Sequence, residues 1–475
     1  MSTTLALPRI AVEPVQASLP VPDSFLRSRT ESATQEALIR DPFRLTVLVP
    51  AHNEEDCIEQ TLTSLKQQHR APDRVIVIAD NCTDATVSIA RDNGADVYET
   101  VNNTEKKAGG LNQALSRVLP TTSSNDVVLV MDADTIMVPE FIEVALTRMH
   151  RDNIDAIGGV FYGEEGGGFI GLLQRSEYLR YSRDIGRHKG RVLVLSGTAS
   201  IFRADLMKRI AAERGTSFPG SPGQVYDTLA MTEDNEITLA AKTLGAKLLS
   251  PQECQTVTEI MPNWRALWKQ RMRWQRGALD NIKHYGITRA TLRYWLQQIG
   301  LGYAVIALNA YLFLMLVSII AGRFQCVNIW LAIAGIFVAE RVVTVWRGGW
   351  KARLVAAVLF IELAYDMFQQ AVYVKSLIDL LRRKAVGWNH VPRDGGPKSK
   401  TSLAPQARRG LFAAAFCTTT LYVAAHGVAV AGAIHSTAAG FMFTDTEHFL
   451  YLLVATNTAI YALLAAVKLI PLRKA

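Results

Sequence analysis

The feature that most constrains the fold is the uneven distribution of apolar residues along the chain. Residues 1–290 carry most of the charged side chains, whereas residues 297–470 carry the long apolar runs. A chain of 475 residues is too long to fold around one small core. We therefore expect at least two domains, the first globular and the second built from helices that cross a membrane.

Charge and cysteine content narrow the class of protein further. The formal net charge is +8, and many basic residues flank apolar segments, as in the cluster Arg382-Arg383-Lys384. This pattern is typical of the cytoplasmic side of a membrane protein, whereas a nucleic-acid binder would concentrate its basic residues on one soluble face. The five cysteines show no CxxC spacing, so neither a zinc site nor a disulfide framework is indicated, and a reducing compartment fits. Residues 1–40 are rich in Pro, Ser and Thr, which predicts a flexible leader without a signal peptide.

Three short β-branched runs in the first half predict buried strands. They are Leu45–Val49, Val75–Ile78 and Val127–Met131, and a segment with helical features follows each of them. Strand and helix alternate over residues 41–260, which predicts an α/β domain whose mostly parallel sheet is covered by helices on both faces. Asn53, shortly after the first run, is expected to cap the first helix.

Acidic residues follow the ends of these predicted strands, where parallel sheets bind ligands. Asp80 follows the second strand, and Asp132-Ala133-Asp134 follows the third. On an extended chain, the carboxylates of Asp132 and Asp134 would project to the same side. Such a pair can hold one hard divalent cation, Mg²⁺ or Mn²⁺, which would also bind the oxygens of a departing nucleoside diphosphate. Each motif alone is equally typical of a solvated surface, so the interpretation depends on their order along the chain.

An amphipathic helix is predicted within residues 261–290. Gln270, Arg273 and Trp274 are spaced i, i+3 and i+4, so they share one face of this helix. The Trp274 indole can stack on a sugar ring, and Arg273 can donate forked hydrogen bonds to a diphosphate. A different flank, expected at the level of lipid headgroups, carries Trp264, Trp268 and Arg271.

Residues 297–471 are predicted to form an α-helical transmembrane region with about four crossings. The second of the four segments is the weakest, because Glu340 and Arg341 interrupt it near one end. The four segments are Ile299–Ala321, Cys326–Val345, Leu411–Ile434 and Phe449–Val467.

A further segment, Leu354–Leu381, is expected to lie at the membrane interface. If it crossed, the basic loop over residues 382–409 would face the outside, against the positive-inside rule. The segment also has a polar stripe at helical spacing, for which two interpretations are equally supported: contact with the α/β domain, or part of a polymer path. The stripe consists of Glu362, Asp366, Gln369 and Tyr373.

The order of these motifs resembles the inverting family 2 glycosyltransferases of the membrane-embedded, processive type, which include cellulose, chitin and hyaluronan synthases. The resemblance covers roughly residues 43–285 well and the apolar half loosely. It implies a cytoplasmic GT-A domain that binds a nucleotide sugar, followed by a multi-pass helical region in the plasma (inner) membrane. The motifs that carry it are Asp80, Asp132-Ala133-Asp134, Thr232-Glu233-Asp234 and Gln270-Arg271-Met272-Arg273-Trp274.

The resemblance also implies roles for individual residues. Asp234 would deprotonate the acceptor hydroxyl in one in-line displacement that inverts the anomeric centre, although a first-turn residue favoured by the helix dipole is the plain alternative. Asp134 would be the main metal ligand, with Asp132 near the ribose or the metal. Asp80 would contact the base, and Lys107 would approach the diphosphate. The loop Ser196-Gly197-Thr198 would lie under the acceptor sugar, and Trp388 would belong to a loop that resembles a gating segment. Gln174 and Glu177 are assigned structural roles only. The other residues implied to contact substrate are His52, Glu54, Glu233, Gln270, Arg273 and Trp274.

These inferences support one leading hypothesis and two alternatives. The leading hypothesis is a membrane-bound inverting glycosyltransferase that transfers a sugar from a nucleoside diphosphate donor, expected to be UDP-linked, to a growing β-linked polysaccharide. The first alternative adds one sugar to a lipid carrier or glycolipid. The second is a non-catalytic membrane subunit that binds nucleotide. The expected partners are the donor, a polysaccharide or lipid-linked acceptor, membrane lipids and accessory export proteins, with no nucleic acid.

Overall fold

The α/β part of the molecule is built on a mostly parallel sheet of seven strands. A computed structural model of the chain describes residues 42–321 and 328–382. The strands are β1 (Arg44–Ala51), β2 (Arg74–Ala79), β3 (Asp96–Glu99), β4 (Asp126–Met131), β5 (Ile136–Met137), β6 (Ala156–Gly158), β7 (Val160–Gly163), β8 (Ala199–Arg203), β9 (Leu248–Leu249) and β10 (Gln255–Thr258). The large sheet has the order β3-β2-β1-β4-β8-β6-β9, in which β8 alone runs antiparallel to its neighbours, and β5, β10 and β7 form a smaller sheet.

Helices alternate with the strands and then continue alone, as the sequence predicts. The helices of the α/β part are α1 (Ile58–Lys66), α2 (Thr86–Asp92), α3 (Lys106–Val118), α4 (Phe141–Arg151), α5 (Gly168–Arg187), α6 (Ala204–Glu213) and α7 (Glu233–Thr243). They are followed by α8 (Trp264–Tyr285), α9 (Leu292–Ile320), α10 (Asn328–Thr344), α11 (Gly349–Ala357) and α12 (Leu359–Leu381).

Alternate side chains of the central strands enter two separate cores. Leu48 on β1 and Val128 on β4 pack with α3, α6 and α7, whereas Val47, Val49 and Leu129 pack with α1 and α4. All five side chains are fully buried. Because successive residues of a strand point to opposite faces, a strand covered on both sides is apolar at every position. This explains the unbroken β-branched runs from which the three strands were predicted, and all three strands are confirmed.

The expectation that Asn53 caps the first helix is wrong. α1 begins at Ile58, and its N-cap position is Cys57. Asn53 lies in the left-handed region with φ of 55°, and its side chain accepts a hydrogen bond from the backbone N–H of Thr83 at 2.8 Å. Asparagine tolerates this backbone conformation, so the residue joins the loops after β1 and β2 instead of starting a helix.

The apolar half begins with a long helix. Within the described residues, the segment Leu292–Val317 of α9 is long and apolar enough by itself to cross a membrane, in agreement with the predicted span at Ile299–Ala321. α10 is 17 residues long, which is the short limit for a crossing helix. The other predictions lie outside the described residues: the leader at residues 1–40, the spans at 411–434 and 449–467, and the loop beyond residue 382.

The segment predicted as one interfacial helix at Leu354–Leu381 is instead two helices. α11 ends at Ala357 and α12 begins at Leu359, and the helical axis bends by 92° at this break. Val358, between them, has φ of −89° and ψ of 89°, which is outside the helical region. The predicted continuous helix is therefore corrected to a bent pair.

The polar stripe of α12 contacts the α/β domain. Glu362 is buried and accepts a hydrogen bond from Arg180 on α5 at 2.7 Å. Gln369 donates to Glu177, also on α5, at 3.2 Å. Asp366 is paired with Arg341 of α10. The contacts of Glu362 and Gln369 hold α12 against α5, so these two residues of the stripe attach the apolar half to the α/β domain.

A buried ion pair holds the loop before α7 against that helix. Arg214 is fully buried and donates to both carboxylate oxygens of Glu236 on α7. Its guanidinium also donates to the carbonyl oxygens of Pro219 at 3.0 Å and Val225 at 3.1 Å. Tyr285, the last residue of α8, donates to the same carboxylate. Each buried charge is therefore compensated, and the pair ties the loop, α7 and α8 together.

Replacing Arg214 by Met is expected to lower the free energy of unfolding by about 3–5 kcal/mol, because Glu236 would stay buried without its cation. The double variant Arg214→Met/Glu236→Leu should recover part of this loss. Arg74 and Asp96 form an exposed pair, with side chains 53% and 58% exposed, and R74M is a matched control expected to cost at most about 1 kcal/mol. Chemical denaturation followed by circular dichroism measures these changes, and equal losses for R214M and R74M would contradict the prediction.

Candidate active site

A cavity of about 2050 Å³ opens at the carboxyl ends of β1, β2 and β4. The loops after these strands line it, together with the start of α7, one face of α8 and parts of α5, α9 and α12. α/β sheets bind their ligands at this edge. The cavity brings together these sequence-predicted residues: His52, Glu54, Asp80, Lys107, Asp132, Asp134, Ser196, Gly197, Thr198, Glu233, Asp234, Gln270, Arg273 and Trp274.

Asp80 is oriented by three neighbouring donors. Its Oδ1 accepts hydrogen bonds from the side chains of Asn81 at 3.0 Å, Thr100 at 2.8 Å and Asn103 at 2.8 Å. The carbonyl oxygen of Asp80 is hydrogen-bonded to the ring nitrogen Nδ1 of His52. The loops after β1 and β2 therefore meet at this buried carboxylate, at the edge of the cavity.

Lys107 stands between two carboxylates from different elements. Its Nζ lies 2.6 Å from Oδ1 of Asp132, just after β4, and 2.6 Å from Oε1 of Glu233, in the first turn of α7. Burial would lower the pKa of this ammonium, but attraction to the two carboxylates raises it well above its ordinary value. Lys107 is therefore a permanent positive charge that joins β4 to α7.

The helix that carries Lys107 also anchors the loop before α7. Asn112 donates to the carbonyl oxygen of Tyr226 at 2.8 Å and accepts from the backbone N–H groups of Tyr226 at 2.9 Å and Val225 at 3.1 Å. One amide side chain therefore satisfies three backbone groups of a loop. Within α3, Lys107 thus contacts the first turn of α7 by charge, and Asn112 fixes the backbone of the loop before α7.

Asp234 is placed and tuned to accept a proton. It lies in the first turn of α7, next to Gly197, where an added β-carbon would come to 3.4 Å from Asp234 Oδ2. Burial and repulsion from Glu233 raise the pKa of Asp234 to about 6. Burial acts in the same sense on Glu233, but attraction to Lys107 outweighs it and lowers the pKa of Glu233. The adjacent carboxylates therefore differ: Glu233 stays ionised in an ion pair, and Asp234 can exchange a proton near neutral pH.

The segment Asp132-Ala133-Asp134 is a turn, so the predicted extended geometry is wrong. The backbone N–H of Thr135 donates to the carbonyl oxygen of Asp132 at 3.3 Å, and the hydroxyl of Thr61 donates to that of Ala133 at 2.6 Å. The chain must turn here because β4 ends at the preceding residue and β5 follows at once. Both aspartates line the cavity nevertheless.

The oxygen ligands of this turn fit a hard divalent cation. Carboxylates are preferred by Mg²⁺ and Mn²⁺, and Asp132 and Asp134 are the residues that could hold such an ion. Within residues 42–321 and 328–382, no group of three or more His, Cys, Asp or Glu side chains is arranged to hold a metal. Because Mg²⁺ is normally bound by one or two carboxylates together with substrate phosphates, two ligands suit a cation that arrives with a nucleotide.

The loop Ser196-Gly197-Thr198 is held to the sheets through its hydroxyl groups. Ser196 donates to the carbonyl oxygen of Gly159 at 2.9 Å, and its Oγ lies 2.9 Å from Oγ1 of Thr198. Thr198 in turn contacts the hydroxyl of Thr256 on β10 at 3.1 Å. The hydroxyls thus stabilise the loop, and Gly197 is its residue next to the carboxylate of Asp234.

The predicted amphipathic helix is present as α8, and its expected face lines the cavity. Gln270, Arg273 and Trp274 all contribute to the lining. Asn263 caps the helix by accepting hydrogen bonds from two backbone N–H groups, at 3.1 Å and 3.0 Å. The spacing i, i+3, i+4 therefore predicted three of the α8 residues that line the cavity, while Arg271, expected on the other flank, lines it as well.

The lipid-facing flank predicted for α8 is wrong at Arg271. This side chain is 5% exposed, and its Nη2 donates to Oε2 of Glu177 on α5 at 2.9 Å. Its guanidinium carbon lies 4.4 Å from the centroid of the Trp274 ring. Trp264 and Trp268, predicted on the same flank, pack edge-on against an aromatic ring of α12. Arg271 is covered by α5 and α12, whereas Trp264 keeps 41% of its surface exposed, so for Trp264 a position among lipid headgroups stays a prediction.

Sequence reasoning missed the contacts that attach α8 to α7. At Gly277, an added β-carbon would come within 2.4 Å of the hydroxyl of Thr232. Asn281, one turn further along, donates to the carbonyl oxygen of Thr232 at 3.2 Å and to Oδ1 of Asn235 at 3.0 Å. The i, i+4 spacing of a glycine and an asparagine on one face is the signal that could have found this contact. The remaining predicted residue, Trp388, lies outside the described residues.

The family of this domain follows from its match to known sequences. Residues 42–277 match the family model described as "Glycosyltransferase like family 2". This range includes the seven-stranded sheet, the aspartate turn, α7 and the cavity-lining residues of α8. Residues 42–277 are a glycosyltransferase family 2 domain. The cavity of this domain is therefore suited to glycosyl transfer from a nucleotide sugar.

Curated proteins match about half of this chain at low identity. The chain is 26% identical over 248 residues to "Probable glycosyltransferase YdaM" of Bacillus subtilis (strain 168), with 49% of this chain and 55% of the relative covered. It is 23% identical over 240 residues to a poly-β-1,6-N-acetyl-D-glucosamine synthase of Staphylococcus aureus (strain MSSA476), with 49% and 54% covered. The chain thus spans about half the length of the curated relatives it matches.

Solved structures of glycosyltransferases are similar to this chain. A mannosyltransferase from Pyrobaculum calidifontis, in complex with GDP-Man and Mn²⁺, is 17% identical with a TM-score of 0.47 and covers 75% of this chain and 94% of its own. A second similar structure is glucosyl-3-phosphoglycerate synthase from Mycobacterium tuberculosis, in complex with Mn²⁺, UDP-glucose and phosphoglyceric acid. It is 19% identical to this chain with a TM-score of 0.34, and the match covers 52% of this chain and 81% of the synthase chain. The same enzyme is also solved with Mg²⁺ and UDP.

Replacing Gly109 by Ala is expected to weaken UDP binding by about tenfold or more. An added β-carbon would come within 2.1 Å of Oδ1 of Asn103, whose amide donates to Asp80. Gly110 is the matched control, because a β-carbon there meets its nearest atom at 3.4 Å. Alanine is more favourable than glycine in a helix interior by up to about 1 kcal/mol of helix stability, so neither substitution should destabilise α3 itself. Isothermal titration calorimetry measures the affinity of each variant for UDP. Equal affinities of G109A and G110A would contradict the prediction.

Proposed function

We propose that this protein is a membrane-bound, metal-dependent inverting glycosyltransferase that extends a β-linked polysaccharide from a UDP-sugar donor on the cytoplasmic face of the plasma (inner) membrane. The observation that carries the proposal is that Asp234, with a pKa of about 6, lies in the same cavity as Trp274 and Arg273. A base for the acceptor, an aromatic surface for a sugar and a guanidinium for a diphosphate are the groups that this transfer needs.

The chemistry is one displacement at the anomeric carbon. The carboxylate of Asp234 takes the proton of the acceptor hydroxyl while the hydroxyl oxygen attacks that carbon. The bond from the carbon to the diphosphate oxygen breaks on the opposite side, the nucleoside diphosphate leaves, and the configuration inverts. Lys107 and Arg273 place positive charge near the leaving diphosphate. A divalent cation held by Asp132 and Asp134 would supply further neutralisation of that group.

Recognition of the two substrates is assigned to opposite parts of the cavity. Asp80, oriented by its three donors after β2, is placed at the nucleotide base. His52 and Glu54 line the same end. Trp274 is placed at the acceptor sugar, with Gln270 beside it on α8. This arrangement puts the reacting carbon between the aspartate turn and Asp234.

Membrane attachment is supported by the surface of α9. Ile299, Ile306 and Ile320 are 65%, 71% and 77% exposed in the described part of the chain. Large apolar side chains exposed along a helix of this length are suited to lipid. Because α9 and α12 also line the cavity, the site opens where the α/β domain meets the apolar helices.

Polymer synthesis is favoured over single addition by the size of the cavity. Its volume of about 2050 Å³ exceeds the roughly 300–1,000 Å³ of common small-molecule sites, which leaves room for a donor and several acceptor sugars. The relative from Staphylococcus aureus is named as the synthase of a polysaccharide. A second candidate acceptor is a lipid-linked sugar, favoured by the apolar lining residues Leu308, Leu312 and Phe337.

Donor, metal and product length can be tested together. The purified full chain in nanodiscs is incubated with UDP-N-acetylglucosamine, UDP-glucose or GDP-mannose, each with Mn²⁺ or with a chelator. We expect one UDP-sugar to give release of UDP and long products. The chelator should abolish the release of UDP. The Asp134→Asn variant should require more Mn²⁺ than the wild type for the same release. Preference for GDP-mannose would contradict the UDP assignment, turnover in the chelator would contradict the metal, and single addition to polyprenyl phosphate would favour the lipid acceptor.

Replacing Asp234 by Asn is expected to lower turnover by about 10²- to 10⁴-fold, because an amide cannot accept the proton. Asp126→Asn is the control, since Asp126 is buried as well but caps a turn at the opposite end of β4. Wild-type turnover should fall as the pH decreases through about 6, because Asp234 is protonated below its pKa. Nucleotide release, measured for the wild type and the variants at neutral and acidic pH, tests the effect of the substitution and the pH dependence. A wild-type rate for D234N would show that another group is the base.

A further inference from the structure

One ring of the proposed acceptor site is backed by a buried cation. The guanidinium carbon of Arg271 lies 4.4 Å from the centroid of Trp274 and 5.6 Å from that of Tyr178 on α5. A guanidinium at these distances is attracted to the face of an aromatic ring, most strongly when both are removed from water. Arg271 is 4% exposed, so the contact is a desolvated one.

The charge of Arg271 is balanced by a carboxylate that two further helices hold in place. Oε2 of Glu177, on α5, accepts hydrogen bonds from Nη2 of Arg271 at 2.9 Å, from the hydroxyl of Tyr365 and from the amide of Gln369 at 3.2 Å. Tyr365 and Gln369 are both on α12. Three donors to one oxygen leave the carboxylate little freedom, so α5, α8 and α12 together determine the position of the guanidinium.

A second contact, separate from this cluster, also attaches α12 to α5. Arg180, one turn beyond Glu177, donates to Glu362 of α12 at 2.7 Å and forms an independent ion pair between the same two helices. Arg341 of α10 is paired with the same Glu362. The distinct consequence of Glu177 is therefore the placement of Arg271 and, through it, of the Trp274 ring.

We propose that Glu177 and Arg271 are positioning residues that set the plane of the Trp274 indole, so that the acceptor sugar meets Asp234 in the orientation that attack requires. The inference rests on the proposed function, in which the acceptor stacks on Trp274. An indole backed by a planar guanidinium has one preferred plane, whereas a lysine at the same position has charge but no flat surface. Small errors in the placement of a reacting group are costly, because the bound geometry must be close to that of attack.

Replacing Arg271 by Lys tests this role in the full chain in nanodiscs. The probes are the UDP-sugar selected by the donor experiment and a β-linked trisaccharide of the same sugar. R271K is expected to raise the KM of the trisaccharide by about tenfold. The KM of the donor and the rate of donor hydrolysis without trisaccharide should change by less than about twofold, because neither needs the acceptor site. Tyr365→Phe, which removes one donor from Glu177, should raise the trisaccharide KM in the same direction by less.

The matched control is Arg276→Lys on the same helix. Arg276 is 7% exposed and pairs with Asp280 at 2.7 Å, so it is an equally buried arginine without a contact to Trp274 in the described structure. R276K should leave all three kinetic quantities unchanged. Thermal unfolding of R271K and R276K separates an effect on the site from an effect on the fold.

Each other outcome overturns the inference in a distinguishable way. If Trp274→Ala raises the trisaccharide KM but R271K does not, the positioning role fails and the proposed stacking stands. If neither variant changes it, the acceptor does not stack on Trp274, and the acceptor assignment of the proposed function fails as well. If R271K lowers donor hydrolysis and the unfolding temperature together with acceptor binding, Arg271 supports the fold and does not position the ring.

Discussion

The contact of Lys107 with Asp132 and Glu233 is the interaction on which the rest of the site depends. It joins the end of a central strand to the first turn of α7, at distances of 2.6 Å on both sides. Because the lysine keeps Glu233 ionised, a fixed negative charge stands next to Asp234 and helps to raise the pKa of that base to about 6. The same ammonium faces the place assigned to the donor diphosphate. The Lys107 side chain, which is 19% exposed, therefore links β4 to α7 and keeps Glu233 ionised. Its direct attraction lowers the pKa of Asp234, so the raised value comes from burial first and from Glu233 second.

The second half of the cavity is assembled by α8 according to a similar principle. Gly277 allows α8 to approach Thr232 at the start of α7, and Asn281 makes the hydrogen bonds of that approach. On the other side of α8, Arg271 is neutralised by Glu177 and thereby tied to α5 and α12. The helix is thus fixed against α7 on one side and against the apolar helices on the other. The cavity lies at this junction.

Much of the fold and most of the site could be predicted from the sequence because they depend on local pattern. The β-branched runs ending at Val49 and Met131 are confirmed as strands buried on both faces. Asp80 and Asp132 line one cavity because ligands bind where strands of an α/β sheet end, and Asp234 joins them from the first turn of α7. The errors have a common cause as well. Each error concerns a feature that depends on a partner far away in the chain. The aspartate turn is held by Thr61, and the conformation of Asn53 is held by Thr83. Arg271 is buried because it pairs with Glu177.

By itself, the sequence determined the α/β fold, the order of its motifs and the face of α8 that carries Gln270, Arg273 and Trp274. These properties follow from the period of a strand or a helix, which every short segment carries within itself. The tertiary structure alone decided which carboxylate stays charged, which arginine is buried and how α12 meets α5. Those properties depend on burial and on charges brought together from distant segments, and electrostatic interactions at close range change steeply with distances that only the folded chain defines.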